Sequence, residues 1–290
     1  IEIIKEMGAN YVRLAHYPQE ADVLNAADRL GLLVWEEIPI VNYITESEAF
    51  TKHSKRMLRE MIRQHYNHPS ILLWGYMNEI LLFNEKGEFG ETEDSTYIRH
   101  LRNLTHDLEK IAQNEDPRRH TAMAMHYSDV YNRTELAGIP DVVGWNLYFG
   151  WYYNEFSDLG EFLDRQHEKF PERVVTISEY GAGSDLRIHT HKPKAFGFSN
   201  EYQNRLHESY LKQIQQRDYL AGSAIWNQFD FGSQSRGDSR PHINQKGVMT
   251  YDRQPKDAYY HYKSHWSDEP VLHINSGSWD KMVTGSRSKE

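Results

Sequence analysis

The 290 residues carry 33 Lys and Arg against 42 Asp and Glu, a net charge of −9 with histidine neutral. An acidic chain lacks the basic surface of a nucleic-acid binder, and a chain without cysteine can form no disulfide, thiolate–zinc site or thiol nucleophile. No apolar run approaches the roughly 18 residues of a membrane span, and the 19 Tyr and 7 Trp are more than packing alone asks for, which fits a site that stacks flat ligands. In chain order, residues 1–7 read as the end of a helix stopped by Gly8, and 11–14 as a strand. A helix over 23–30 closes at Gly31, and a strand over 32–36 ends before Pro39. Residues 47–66 form a long helix, with Met57, Leu58, Met61 and Ile62 at helical spacing. Pro69 introduces a strand over 71–77. Helices over 96–114, 159–169 and 201–216 then alternate with strands over 121–124, 142–146, 174–178 and 222–226. Residues 229–251 form a long Gly/Ser/Arg-rich loop, and no amphipathic helix is visible from Pro270 onward.

Seven strands separated by helical sequence predict an α/β fold with a parallel sheet. The count is one short of a (β/α)8 TIM barrel, and the chain opens inside a helix. The expectation is therefore a TIM barrel lacking its first strand over 1–268, with 269–290 the start of a following β-domain or a tail. The competing fold is an open doubly wound sheet, but no Gly-rich phosphate loop follows any strand.

Active sites of TIM barrels lie at the C-terminal ends of the strands. The residues standing there are Arg13, His16 and Tyr17; Glu36 and Glu37; Asn78 and Glu79; His126 and Tyr127; Asn146 and Tyr148; Glu179 and Tyr180; and Trp226, Asn227 and Asp230. Glu79 and Glu179 each follow an apolar strand directly. A carboxylate at the mouth of a buried strand faces a poorly solvated crevice, where one member of a pair is held protonated and the other ionised. Glycoside hydrolysis needs such a pair, one acid for the leaving oxygen and one nucleophile or base opposite. The competing reading for each is a strand-end ion pair with a nearby Arg or Lys.

Six ordered segments carry a resemblance: MGANYVRLAHYPQ at 7–19, LGLLVWEEIP at 30–39, NHPSILLWGYMNE at 67–79, GWNLYFGWY at 144–152, SEYG at 178–181 and KGVMTYDRQPK at 246–256. Together they resemble the catalytic barrel of glycoside hydrolase family 2, which includes β-galactosidases, β-glucuronidases and β-mannosidases. The resemblance covers about residues 1–273 and implies a retaining mechanism, with Glu79 as general acid/base and Glu179 as nucleophile. It further implies that Asn78 bonds the sugar 2-hydroxyl, that Tyr148 touches the nucleophile, and that Arg13 lies beneath Glu179. His16 and Asn146 become sugar-site candidates and Trp226 a platform under the ring. For His16 the competing role is a structural histidine in a His-Tyr-Pro turn, and for Trp226 it is barrel core.

Some members of the family hold magnesium through a Glu and a His after their third barrel strand, which the segment at 30–39 resembles. Here that stretch reads EEIPIVNYITES, without histidine, so no metal or other cofactor is expected. Asn244 and Lys246 fit the Asn-x-Lys pair that grips the sugar carboxylate in β-glucuronidases, where an ammonium faces an anion. β-Galactosidase-like members share the pattern, and the surrounding HINQKGVMTYDRQPKDAYYHYK looks more like those. The expected activity is thus that of an exo-acting β-galactosidase on a carbohydrate chain, with β-glucuronidase or β-mannosidase as the alternative. Arg236 and Arg240 beside the pocket suit a sulfated or acidic neighbouring sugar, or a merely solvated loop. The N-terminal sandwich domains of the family are not in this sequence. They are expected to pack on the barrel, and the chain alone is expected to be poorly stable and weakly active or inactive. Two other classes remain: a metal-dependent hydrolase using His189 and His191, and a sugar-binding module without catalysis.

Overall fold

The computed structural model describes residues 1–84, 86–90, 92 and 94–275. Seven parallel strands form one sheet in chain order: β1 (Tyr11–Leu14), β2 (Leu33–Glu37), β3 (Ile71–Asn78), β4 (His120–His126), β5 (Val142–Asn146), β6 (Val174–Glu179) and β7 (Leu220–Ser223). Helices α1 (Glu2–Glu6), α2 (Ala21–Leu30), α3 (Glu48–His65), α4 (Ser95–Glu115), α5 (Val130–Arg133), α6 (Leu159–Lys169) and α7 (Asn200–Gln215) alternate with them. Strand order equal to chain order, with helical crossovers, is the arrangement of a (β/α) barrel. Strands β1 and β7 are not paired with each other. Residues Tyr11–Arg13 of β1 and Ala221–Ser223 of β7 line the same cavity of about 780 Å³, so the sheet curls until its two edges face across a gap. The seven-stranded partial barrel expected from the sequence is the one observed.

Local chemistry sets the helix ends. Ser47 caps α3 by accepting the Phe50 amide, Asp94 caps α4 through Thr96 and Tyr97, and Ser199 caps α7 through Tyr202. Strands β3 and β5 are buried along nearly their whole length, as expected of parallel strands covered on both faces. One apolar core lies between sheet and helices. A smaller one gathers Trp35, Leu73, Ala122, Ala124 and Val142 from neighbouring strands, with Tyr11 against it. Gly75 makes that inner packing possible, because a Cβ there would stand 2.2 Å from Trp35 Nε1.

Beyond β7 the chain forms a small antiparallel hairpin, β8 (Phe231–Gly232) and β9 (Ile243–Asn244), and then a helix, α8 (Asp257–Trp266). Residues 267–275 hold no helix or strand, and 276–290, the rest of the expected tail or second domain, lie outside the described residues. The last barrel strand was expected at 222–226 and ends instead at Ser223. The following residues still bond to β6 and its loop, through Ala224 N–H to Ile177 O and Trp226 N–H to Tyr180 O.

Candidate active site

Strand alternation sorts the paired acids of β2. Trp35 and Glu37 turn toward the inner core, while Glu36 turns out to α3, where it lies 2.7 Å from His65 Nδ1. Glu37 receives Arg13 in a bidentate pair, from Nε at 2.9 Å and from Nη2 at 2.9 Å. The Arg13 guanidinium also donates to Glu179 Oε1 at 2.8 Å and to Asn78 Oδ1 at 2.9 Å, and it lies over the Trp35 ring. One planar, permanently charged fork thus ties β1, β2, β3 and β6 together. His16 Nδ1 lies 2.8 Å from Glu37 Oε1, an acceptor, and the His16 ring stacks on Trp226 at 5.1 Å. Arg13 and His16 hold the Glu37 carboxyl below the usual range despite its burial.

Both oxygens of Glu179 are engaged, Oε1 by Arg13 and Oε2 by the Tyr148 hydroxyl at 2.7 Å. Asn78 Oδ1 accepts from Arg13 and from Asn146 Nδ2 at 3.1 Å, and Ser178 Oγ donates to Asn146 Oδ1 at 2.6 Å. The Asn78 oxygen thus takes two protein donors.

Glu79 follows β3 directly, with φ of 49°, a left-handed backbone that a residue with a Cβ adopts at a cost. Its amide donates to Ala124 O at 2.9 Å, which holds that geometry. Burial, and next the charge of Glu179, push the Glu79 carboxyl up to about 6; His126, the Asn146 amide and His16 pull the other way. The two carboxylates therefore sense one another across one site.

On the far side, Lys246 is buried to 1% exposure. Its Nζ donates to Tyr152 Oη at 2.7 Å and sits among the rings of Tyr152, Tyr148 and Trp151 at 4.9, 5.7 and 5.8 Å. Arg236 Nη1 donates to the same hydroxyl at 2.8 Å. Burial, with Arg236 second, brings the Lys246 ammonium down to about 7. Among the described residues no carboxylate lies within ion-pair distance of it. Asn244 is buried beside it, its Oδ1 accepting the Lys246 amide.

The residues expected at the site thus fall into two linked groups. Glu79, Asn78, Asn146, Glu179, Tyr148, Arg13, His16 and Trp226 form the carboxylate side, and Asn244 with Lys246 forms a cationic side reached through Tyr148. Glu37, Tyr152 and the role of Arg236 on Tyr152 were not assigned from the sequence. Strand alternation offered a signal for Glu37, and nothing local offered one for the other two. His189 contacts Glu201 at 2.6 Å, and among the described residues no group of three or more His, Cys, Asp or Glu is arranged to hold a metal ion.

The model of the glycosyl hydrolases family 2 TIM barrel domain matches residues 1–269. A β-glucuronidase of Bacteroides fragilis is 37% identical over 289 residues, covering 94% of this chain and 39% of that protein. Crystal structures of a Bacteroides uniformis β-glucuronidase, one of them described as covalently bound to cyclophellitol-6-carboxylate aziridine, superpose with a TM-score of 0.92 at 46% identity. They cover 96% of this chain and 33% of theirs. A structure described as a putative β-galactosidase from Bacteroides fragilis matches at 33% identity and a TM-score of 0.84. The chain therefore spans well under half the length of these relatives, and most of the names favour glucuronidase over the galactosidase expected from the text around Lys246. The chain belongs to glycosyl hydrolase family 2, whose TIM barrel domain it matches over residues 1–269.

Proposed function

We propose that this barrel hydrolyses terminal β-linked glucuronides with retention of configuration. The observation that carries the reading is Lys246, a buried ammonium without a carboxylate partner among the described residues, beside the buried Asn244 amide. A buried ammonium outside any ion pair is costly, which is why burial brings it down to about 7, and a sugar carboxylate arriving there would favour its charged form through a charge-assisted hydrogen bond. A galactoside presents a neutral hydroxymethyl group at that point and would leave the ammonium unpaired. The names of the relatives lean the same way.

In the first displacement Glu179 attacks the anomeric carbon, its carboxylate oriented by Arg13 and Tyr148, while Glu79 gives its proton to the leaving oxygen. Esterification removes the negative charge of Glu179, one of the two influences that hold the Glu79 carboxyl up. Glu79 then falls in pKa and suits its second task, taking a proton from the attacking water. Asn78 supplies donors for the 2-hydroxyl, and Trp226, stacked on His16, offers a ring face.

The test is covalent labelling of the intact protein by cyclophellitol-6-carboxylate aziridine and by its neutral hydroxymethyl counterpart. The expected outcome is one adduct on Glu179, formed much faster by the acidic reagent. Faster labelling by the neutral reagent would return the assignment to a galactosidase-like or glucosidase-like activity. An adduct elsewhere would remove Glu179 as nucleophile.

A further inference from the structure

The segment that carries Lys246 is gripped from below by a buried ion pair. Lys256 and Asp230 are 1% and 4% exposed, with Lys256 Nζ 2.8 Å from Asp230 Oδ1. The pair reaches the peptide unit on each side of Lys246. Lys256 Nζ donates to Gln245 O at 3.1 Å, and the Gly247 amide donates to Asp230 Oδ1 at 2.9 Å. The third Lys256 proton goes to Ser184 O at 2.8 Å, and the Ser184 amide donates to Gln245 O. All the donors of this ammonium are therefore spent on protein, and they join the loop after Glu179 to the segment of Lys246.

Neighbouring contacts reinforce that grip. The Gln245 side chain is turned to Asp185 and Ser239, opposite in role to Lys246, which reaches Tyr152. The Asn227 amide donates to Lys246 O at 3.0 Å. A Cβ on Gly247 would stand 2.2 Å from the Asp230 amide, so only glycine lets the segment come this close.

We infer that Lys256 and Asp230 are positioning residues for substrate selection: by holding the peptide groups that flank Lys246 they fix where its ammonium points, and so set the preference for an anionic over a neutral sugar. The inference rests on the glucuronide reading above. An ammonium on a flexible four-carbon stem is a poor selector unless its backbone is fixed, because a shift of about 1 Å at a clamp is enough to lose much of its discrimination. Burial pushes the Asp230 carboxyl up to about 6 and the Lys256 ammonium down, so each keeps its charge chiefly through the other.

The experiment uses the intact protein, with p-nitrophenyl β-D-glucuronide and p-nitrophenyl β-D-glucoside as paired substrates. Three variants are compared: Lys246→Met, Lys256→Met and Asp230→Asn. For the last two the expected result is a KM for the glucuronide raised about tenfold with kcat changed less than about threefold, and a glucuronide-to-glucoside preference lowered by about tenfold. A general weakening of the fold would instead lower kcat/KM for both substrates alike, and that result overturns the inference, as does an unchanged preference. Should Lys256→Met fail to fold, Asp230→Asn carries the decision, since it keeps an oxygen for the Gly247 amide. If Lys246→Met itself leaves the preference intact, the glucuronide reading fails. If Lys246→Met abolishes the preference and the other two preserve it, only the positioning role fails.

Discussion

The Glu79 carboxyl lies under two influences that raise it, burial and the nearby charge of Glu179, and its value of about 6 is their joint result against His126, Asn146 and His16. Replacing Glu179 by Gln removes one of them, so the Glu79 carboxyl should titrate lower, as read by carbon NMR of labelled glutamate. A Glu79 value unmoved by that change would mean that the two groups do not communicate. Glu79→Gln should slow glycosides with poor leaving groups by about 10²- to 10⁴-fold and slow activated nitrophenyl glycosides less, since only the former need the proton. The pH profile follows by sign. On the proposed mechanism Glu79 acts as acid in its protonated form, so kcat/KM should fall as pH rises through about 6. If Lys246 holds the sugar carboxylate, it does so only when charged, so a glucuronide should lose further affinity as pH rises through about 7 and a neutral glycoside should not. Equal basic limbs for the two substrates would remove Lys246 from carboxylate binding. At this scale the two carboxylates were readable in the sequence, because an acid directly after an apolar strand is rare and chemically marked. Glu37 stood in plain view but beside Glu36, and only the pleat tells which of the two meets Arg13. Tyr152 and Arg236 meet across 84 residues, a contact that no local pattern encodes.

Helices α7 and α8 meet behind β6, and their contact is where acid should first act on the fold. His207 of α7 is fully buried, its Nδ1 2.8 Å from the Tyr262 hydroxyl of α8, which donates in turn to Tyr180. Burial, with His261 and Lys256 nearby, brings His207 down to about 3, and His261 of α8 is brought down to about 4. Unfolded histidine titrates near 6.5. Between the two values the unfolded chain holds a proton that the folded chain refuses, so stability falls as pH drops below about 6.5, by at most about 1.4 kcal/mol per pH unit for each proton. The melting temperature should therefore decline from pH 6.5 toward 4, and His207→Gln should flatten that decline. A slope identical in the variant would move the acid sensitivity elsewhere. The element that carries half of this contact was the one hardest to read. In α8 the run DAYYHYKSHW spreads aromatic residues around the helix, so no single apolar face announces it. Helices α3, α4 and α7 were legible because each has both an apolar stripe and a capping side chain at its start. Strand β7 was placed late, because the apolar residues Ile225 and Trp226 that suggested it lie past its end at Ser223, where the chain still bonds to β6 and its loop.

For the whole molecule, the decisive feature is the seam between β1 and β7. Two parallel edges face a cavity of about 780 Å³ that also reaches Arg13, Ser178 and Trp226, residues at or beside the site. Unpaired strand edges leave amide and carbonyl groups to water, and within residues 1–290 β1 is held in register by β2 alone. Arg13 feels this most, because it stands on the edge strand β1 and still holds Glu179, Glu37 and Asn78 at once. Loosening of β1 would therefore reach Glu179 through one side chain. If a longer polypeptide carrying this barrel pairs the two free edges, residues 1–290 alone should melt at lower temperature than that polypeptide and should show a smaller kcat/KM through a lower kcat. Arg13→Gln in the intact protein should reproduce much of the catalytic loss with little of the loss in melting temperature, because it releases Glu179 while leaving the sheet paired. Differential scanning calorimetry and glucuronide kinetics on the three proteins decide the matter. If residues 1–290 alone match the intact protein in both, the seam costs neither stability nor geometry. If Arg13→Gln melts as low as the isolated barrel, the arginine is holding the fold rather than transmitting its state to the nucleophile.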